Sequence, residues 1–81
     1  MIVTVKYFGA VADATQKKEE SLYLDAKLHS VEDLCLQLEN QYPELKDIAY
    51  VIAVNQSVVA SGLVTINEND ELALLPPFAG G

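Results

Sequence analysis

Between Ser30 and Pro43 the 81-residue chain carries one strong helix signal, and the rest of the sequence must fold around it. Ser30 is a good N-cap, Asp33 stands at the third helical position, and the acidic first turn suits the positive end of the helix dipole. Val31, Leu34, Cys35, Leu38 and Tyr42 recur at helical spacing and form one apolar stripe. Pro43 disfavours helical geometry in the residue before it and stops the helix near Gln41. A chain this short has room for one modest core, so the stripe needs a single complementary surface.

The remaining sequence offers strands for that surface. Val3, Val5 and Tyr7 alternate with Thr4 and Lys6, the period of a half-buried strand, which leaves Ile2 and Phe8 on the opposite phase. Gly9 to Lys18 reads as a loop, and Glu19 to Leu24 as a second strand forming an antiparallel pair with the first. Glu44 to Tyr50 is a connector with at most a single helical turn. Val51 to Asn55 is apolar and branched, as a central strand should be, and Ser57 to Ala60 pairs beside it after a tight turn at Asn55-Gln56. Asn67 to Asp70 is a polar turn in which Asn69 tolerates a left-handed conformation. Glu71 to Leu75 is the last strand, with Leu72 and Leu74 inward and Ala73 and Leu75 outward. The expected architecture is α+β: a β-grasp domain over residues 1–75, with a mixed sheet of four to five strands under one main helix. Residues 76–81 follow as an extended tail.

Charge excludes several function classes. Twelve acidic residues face five lysines and no arginine, a formal charge of −7. Nucleic acid and anionic membrane surfaces are therefore poor partners, since both recruit cations. A basic protein partner is the natural complement, although acidity serves solubility equally well. A single cysteine, no visible signal peptide in MIVTVKYF, and no apolar run near the ~20 residues of a membrane span together point to the cytoplasm.

Catalytic constellations are nearly absent. Cys35 lies on the buried stripe and reads as a core residue, and His29 reads as a surface residue beside the helix cap. No cysteine or histidine cluster suggests a metal, the acidic turn at 67–71 lacks the calcium-loop pattern, and the glycines form no phosphate-binding loop. The closing LLPPFAGG is different. Pro76 and Pro77 offer no amide donors, end sheet pairing and aim the chain away from the body. From Pro76 through Phe78 and Ala79 to Gly81 the tail reaches about 20 Å when extended. Gly80 and Gly81 lack Cβ atoms and can thread a narrow channel. The carboxylate of Gly81 is a poor electrophile until joined to a leaving group such as AMP. The chain has no nucleotide machinery, so a partner must spend the ATP, and no cofactor of the chain's own is implied.

YFG at 7–9, the Ser30–Leu38 helix, VNQ at 54–56, NDEL at 69–72 and LLPPFAGG resemble the family of small, sulfur-carrying subunits of molybdopterin synthase, over the full chain. Related ubiquitin-like carriers, which share the terminal Gly-Gly, serve thiamine synthesis or tRNA thiolation. The resemblance implies that an E1-like adenylyltransferase activates Gly81 and a sulfur donor converts it to a thiocarboxylate. The thiocarboxylate then enters the active site of the synthase large subunit and gives sulfur to cyclic pyranopterin monophosphate. Two such transfers make the dithiolene, within an expected heterotetramer. Ala12-Asp13 stand where the family often has Arg-Glu, and Asn69 where it often has glycine. Phe8, Val59, Leu75 and Phe78 form the expected partner surface leading to the tail, unless the chain's own loops cover them. Two other functions stay open on sequence: a ubiquitin-like modifier joined to lysines through Gly81, and an interaction domain with an inert tail.

Overall fold

The computed structural model describes residues 1–25, 27 and 29–77. Strand β1 (Ile2–Tyr7) leads through helix α1 (Ala10–Thr15) to β2 (Glu19–Tyr23). Helix α2 (Val31–Gln41) follows, then a 3₁₀ turn (Pro43–Asp47), β3 (Val51–Val54), β4 (Ser57–Val58) and β5 (Glu71–Leu75). The five strands form one sheet in the order β2-β1-β5-β3-β4. Among the described residues, β1 and β5 pair in parallel, with Tyr7 opposite Leu74, and the β1–β2, β3–β4 and β3–β5 pairings are antiparallel. This is the mixed sheet of the ubiquitin-like β-grasp fold, with α2 as its main helix.

Two sequence expectations need correction here. The segment read as a loop, 9–18, contains α1. Six residues are too few to display a period, yet Ala10, Ala12 and Ala14 favour helix, and Val11 and Thr15, one turn apart, are buried. The central strand is β5, not Val51–Asn55. Its place comes from the parallel pairing with β1, more than sixty residues away in sequence, which no local pattern encodes.

Helix α2 starts as its sequence requires. The Ser30 hydroxyl accepts from the Asp33 amide at 3.1 Å while Asp33 Oδ2 accepts from the Ser30 amide at 3.1 Å, a complete capping box. The loop before β5 completes the cap: Val31 N donates to Val64 O and Glu32 N to Gly62 O, both at 2.9 Å. Helix-end amides that would otherwise be orphaned are thus used to pin a loop. Val31, Leu34 and Leu38 then pack on Val3, Val5, Tyr7, Leu22, Leu72 and Leu74 from the sheet's inner face, and Leu24, Leu45 and Ile66 close the margins of the core. Cys35 and Tyr42, on the flanks of the stripe, are half-buried.

Turn chemistry follows the residue types. Asn55 and Gln56 both take positive φ, 51° and 73°, as the primed turn of a two-residue hairpin demands. Asn69, with φ 70°, is left-handed as expected. Asn55 also braces the polar turn, its Nδ2 donating to Asp70 Oδ1 and its Oδ1 accepting from the Glu71 amide, each at 3.0 Å.

Candidate docking face and tail root

Among the described residues, no helix packs on the sheet's second face. Lys6 lies opposite Ala73 in the parallel pair, and Ala73, Ala53 and Val58 lie opposite one another in the antiparallel ones, so the four side chains share this outer face. Phe8 and Leu75, two residues further along β1 and β5, belong to the same face. The alanines at 53 and 73 make a low floor, and the larger side chains around it make walls. The result is a groove of about 330 Å³ lined by Lys6, Phe8, Gln56, Val58, Glu71 and Leu75 above that floor. Phe8 is 44% and Val58 63% exposed, large apolar groups that a self-contained fold would cover. Lys6 Nζ and Glu71 Oε2, 3.5 Å apart, form a solvated ion pair at the rim.

Phe8 and Leu75 therefore stand together as the sequence suggests. Val59 does not stand with them. It is half-buried and packs against the core, and its amide donates to Ile52 O at 2.9 Å. Strand alternation explains the exchange: β4 ends at Val58, which faces out, so its neighbour faces in. Val58 is the outer-face residue that sequence reading missed. The signal was the position of the Asn55-Gln56 turn, which fixes the hairpin register.

The root of the tail is built beside this groove. The Phe8 amide donates to Leu74 O at 3.1 Å, extending the parallel ladder past the end of β1. Gly9 follows with φ 59° and ψ −134°, close to the first corner of a type II′ turn, a conformation that glycine alone adopts readily. Pro76 is half-buried against it. A Cβ at Gly9 would lie 2.8 Å from Pro76 Cγ and 3.6 Å from Pro76 Cδ. Pro77 is exposed. Phe78, Ala79, Gly80 and Gly81 lie outside the described residues. A second cleft, about 410 Å³, borders the same root and is lined by Lys6, Phe8, Gly9, Ala12, Lys18 and Glu19. Ala12 and Asp13 sit in α1, and Ala12 and Lys18 both line that cleft.

Behind the root, a polar network holds β1, β2 and α2 together. The Tyr7 hydroxyl donates to Glu20 Oε2 at 2.5 Å, and the Tyr42 hydroxyl donates to the same oxygen at 2.7 Å. Lys17 Nζ reaches Glu20 Oε1 at 3.1 Å and Tyr42 Oη at 3.0 Å. The Tyr7 and Tyr42 rings meet edge-to-face, with centroids 6.3 Å apart. Burial first, then the Glu20 hydrogen bond and charge, push the Tyr7 hydroxyl far above its ordinary range. For Glu20, burial is the largest single influence and raises the carboxyl, but the combined hydrogen bonds from Tyr7, Tyr42 and Lys17 outweigh it and hold the group low. An inward-pointing tyrosine needs a partner for its hydroxyl, and that need was the available sequence signal.

Cys35 is half-buried; burial pushes its thiol up, and a hydrogen bond from Tyr50 offsets only part of that. A thiol held protonated is unreactive. His29, expected at the surface, is half-buried beside the α2 cap, where its carbonyl accepts from Ile66 N at 2.7 Å. Among the described residues, no group of three or more His, Cys, Asp or Glu side chains is placed to hold a metal, and no helix is long and apolar enough to cross a membrane.

Comparison with known proteins gives this geometry relatives. The model of the ThiS family matches residues 5–81. The molybdopterin synthase sulfur carrier subunit of Homo sapiens is 30% identical, covering 98% of this chain and 93% of its own length. The molybdopterin synthase sulfur carrier subunit of Mycobacterium tuberculosis is 35% identical, with 98% and 96% covered. Among solved structures, a candidate molybdopterin converting factor subunit 1 of Pyrococcus furiosus superposes with a TM-score of 0.88 at 24% identity, covering 96% of this chain and 99% of that one.

Proposed function

The chain belongs to the ThiS family, and from that premise we propose that it is the sulfur carrier subunit of a molybdopterin synthase. The observation that carries the proposal is its near full-length relationship to two sulfur carrier subunits of that synthase, at 30% and 35% identity. The geometry supports it. An apolar groove and a fixed tail root lie side by side, the arrangement needed by a protein that docks on a partner while inserting its end.

In this reading Gly81 is the working residue, and Pro76, Pro77, Phe78, Ala79 and Gly80 thread the partner's active site. An E1-like adenylyltransferase joins the Gly81 carboxylate to AMP from ATP and releases pyrophosphate. Hydrosulfide-level sulfur from a donor attacks the acyl carbon, AMP leaves, and a thiocarboxylate forms. The thiocarboxylate passes its sulfur to cyclic pyranopterin monophosphate in the large subunit, and water returns the carboxylate. Phe8, Val58 and Leu75 dock on the large subunit through the outer face, with Lys6 and Lys18 meeting acidic groups at its margin. The chain contributes no catalytic side chain and no cofactor; its role is to present the acyl carbon. It works in the cytoplasm, where thiols stay reduced.

The test is mass spectrometry of the full chain after incubation with an adenylating partner, ATP and sulfide. A sulfur-for-oxygen mass increase located on Gly81 is expected, followed by its loss on addition of large subunit and substrate. A chain lacking Gly81 should fold normally and accept no sulfur. Persistent absence of the mass increase, or Gly81 linked instead to lysines of other proteins, would refute the carrier role.

A further inference from the structure

We propose that Gly9 is the positioning residue for the tail: it seats the ring of Pro76 and so sets the line along which the reactive end leaves the domain. The inference deepens the sulfur-carrier reading and rests on it for its functional consequence. Two prolines restrict φ at their own positions, but they do not orient themselves relative to the sheet. That orientation comes from elsewhere. The Phe8 amide to Leu74 carbonyl bond, at 3.1 Å, registers β5 against the residue just before Gly9. The next contact is the Pro76 ring on the bare Cα of Gly9, where a Cβ would intrude to 2.8 Å from Cγ. Real Cβ atoms do not approach carbon that closely, and a proline ring can yield only by changing its pucker or by moving with its backbone. Any side chain at position 9 must therefore push Pro76 itself, and the displacement passes along the restricted 76–77 segment to everything beyond it.

The heavy atoms that a Cβ at Gly9 would approach within 4 Å, chain neighbours apart, are Cγ and Cδ of Pro76.

The site is therefore a two-part latch, and its parts should act as one. If Gly9 and Pro76 serve the same purpose, spoiling either spoils the aim, and spoiling both costs no more than the worse of the two. The docking groove is left in place, so a misaimed tail should still bring the chain to its partner. The loss falls on turnover.

The experiment uses the full chain as wild type, Gly9→Ala, Pro76→Ala and the double variant. Each is assayed for ATP–pyrophosphate exchange with the adenylating enzyme that loads the wild type in the mass assay above, and for thermal unfolding. We expect each single variant to lower kcat about tenfold to a hundredfold with KM unchanged, as a misplacement of about 1 Å does. The double variant should match the slower single one. Independent multiplication of the two losses, turnover at the wild-type rate in either single variant, or a loss confined to KM would overturn the proposal. Gly9→Ala also strains a positive-φ position and is at risk of unfolding; Pro76→Ala, at a half-buried site, then carries the turnover test alone. A nuclear Overhauser contact between Gly9 Hα and Pro76 Hγ in the wild-type chain reads the seat with no partner present. Its absence would sink the latch, whereas a wild-type chain that is never loaded, with this contact present, sinks only the carrier reading.

Discussion

Replacing Glu20 by alanine should be among the most damaging single changes to this fold outside its apolar core. Glu20 accepts from Tyr7, Tyr42 and Lys17. The three losses are unequal. Tyr7 is only 2% exposed, so its hydroxyl is left without a partner, at a cost of about 1–3 kcal/mol. Tyr42 is half-buried and still accepts from Lys17 Nζ and Gln41 Nε2, so it adds little, and the exposed lysine is left out of the sum. A loss of about 2 kcal/mol corresponds to a fall in Tm of roughly 8–16 °C for a domain of this size. Urea and thermal unfolding followed by circular dichroism measure both. The pH dependence gives an independent check. The folded Glu20 carboxyl is held below its ordinary value, so its stabilisation is present above about pH 4.3 and is lost as pH falls through the folded value. The gap between wild type and Glu20→Ala should therefore narrow toward pH 3. Tyr7 is shifted the other way, so its stabilisation is full below about pH 10 and fades above it. A Glu20→Ala chain within about 0.5 kcal/mol of wild type at pH 7, or a gap that does not narrow in acid, would refute this account of the network.

Three further outcomes follow from the same structure. On the carrier reading, Val58→Asp should weaken binding to the synthase large subunit about tenfold or more in calorimetry while leaving Tm nearly unchanged, whereas Val59→Asp should lower Tm, because it puts a charge against the core. Ser30→Ala removes half of the α2 capping box and should cost about 1 kcal/mol in urea unfolding. Cys35 should react with a disulfide reagent at pH 8 far more slowly than a free thiol, and at the free rate once the chain is unfolded.

Much of this fold was legible because its elements are locally consistent. Ser30, Asp33 and the Val31–Leu38 stripe specify α2 without reference to anything distant, and the alternation of Val3, Val5 and Tyr7 fixes which face of β1 is buried. Asn69 announces its own left-handed turn. Helix α1 was illegible for the opposite reason: six residues make fewer than two turns, and its stability comes from Val11 and Thr15 being buried rather than from a pattern. Val58 and Val59 differ by one residue, and only the hairpin register decides which faces the core.

The sequence by itself determined the helix, the strand faces, the acidic charge and a proline-then-glycine tail, because each depends on residues within a few positions of one another. The tertiary structure decided that β5 lies between β1 and β3, that Ala53 and Ala73 floor a groove, and that Pro76 rests on Gly9. Those facts depend on β5 pairing in parallel with β1, from the far end of the chain, and antiparallel with β3. Closing so long a loop is favourable only when the whole core forms, so no local stretch of residues records it.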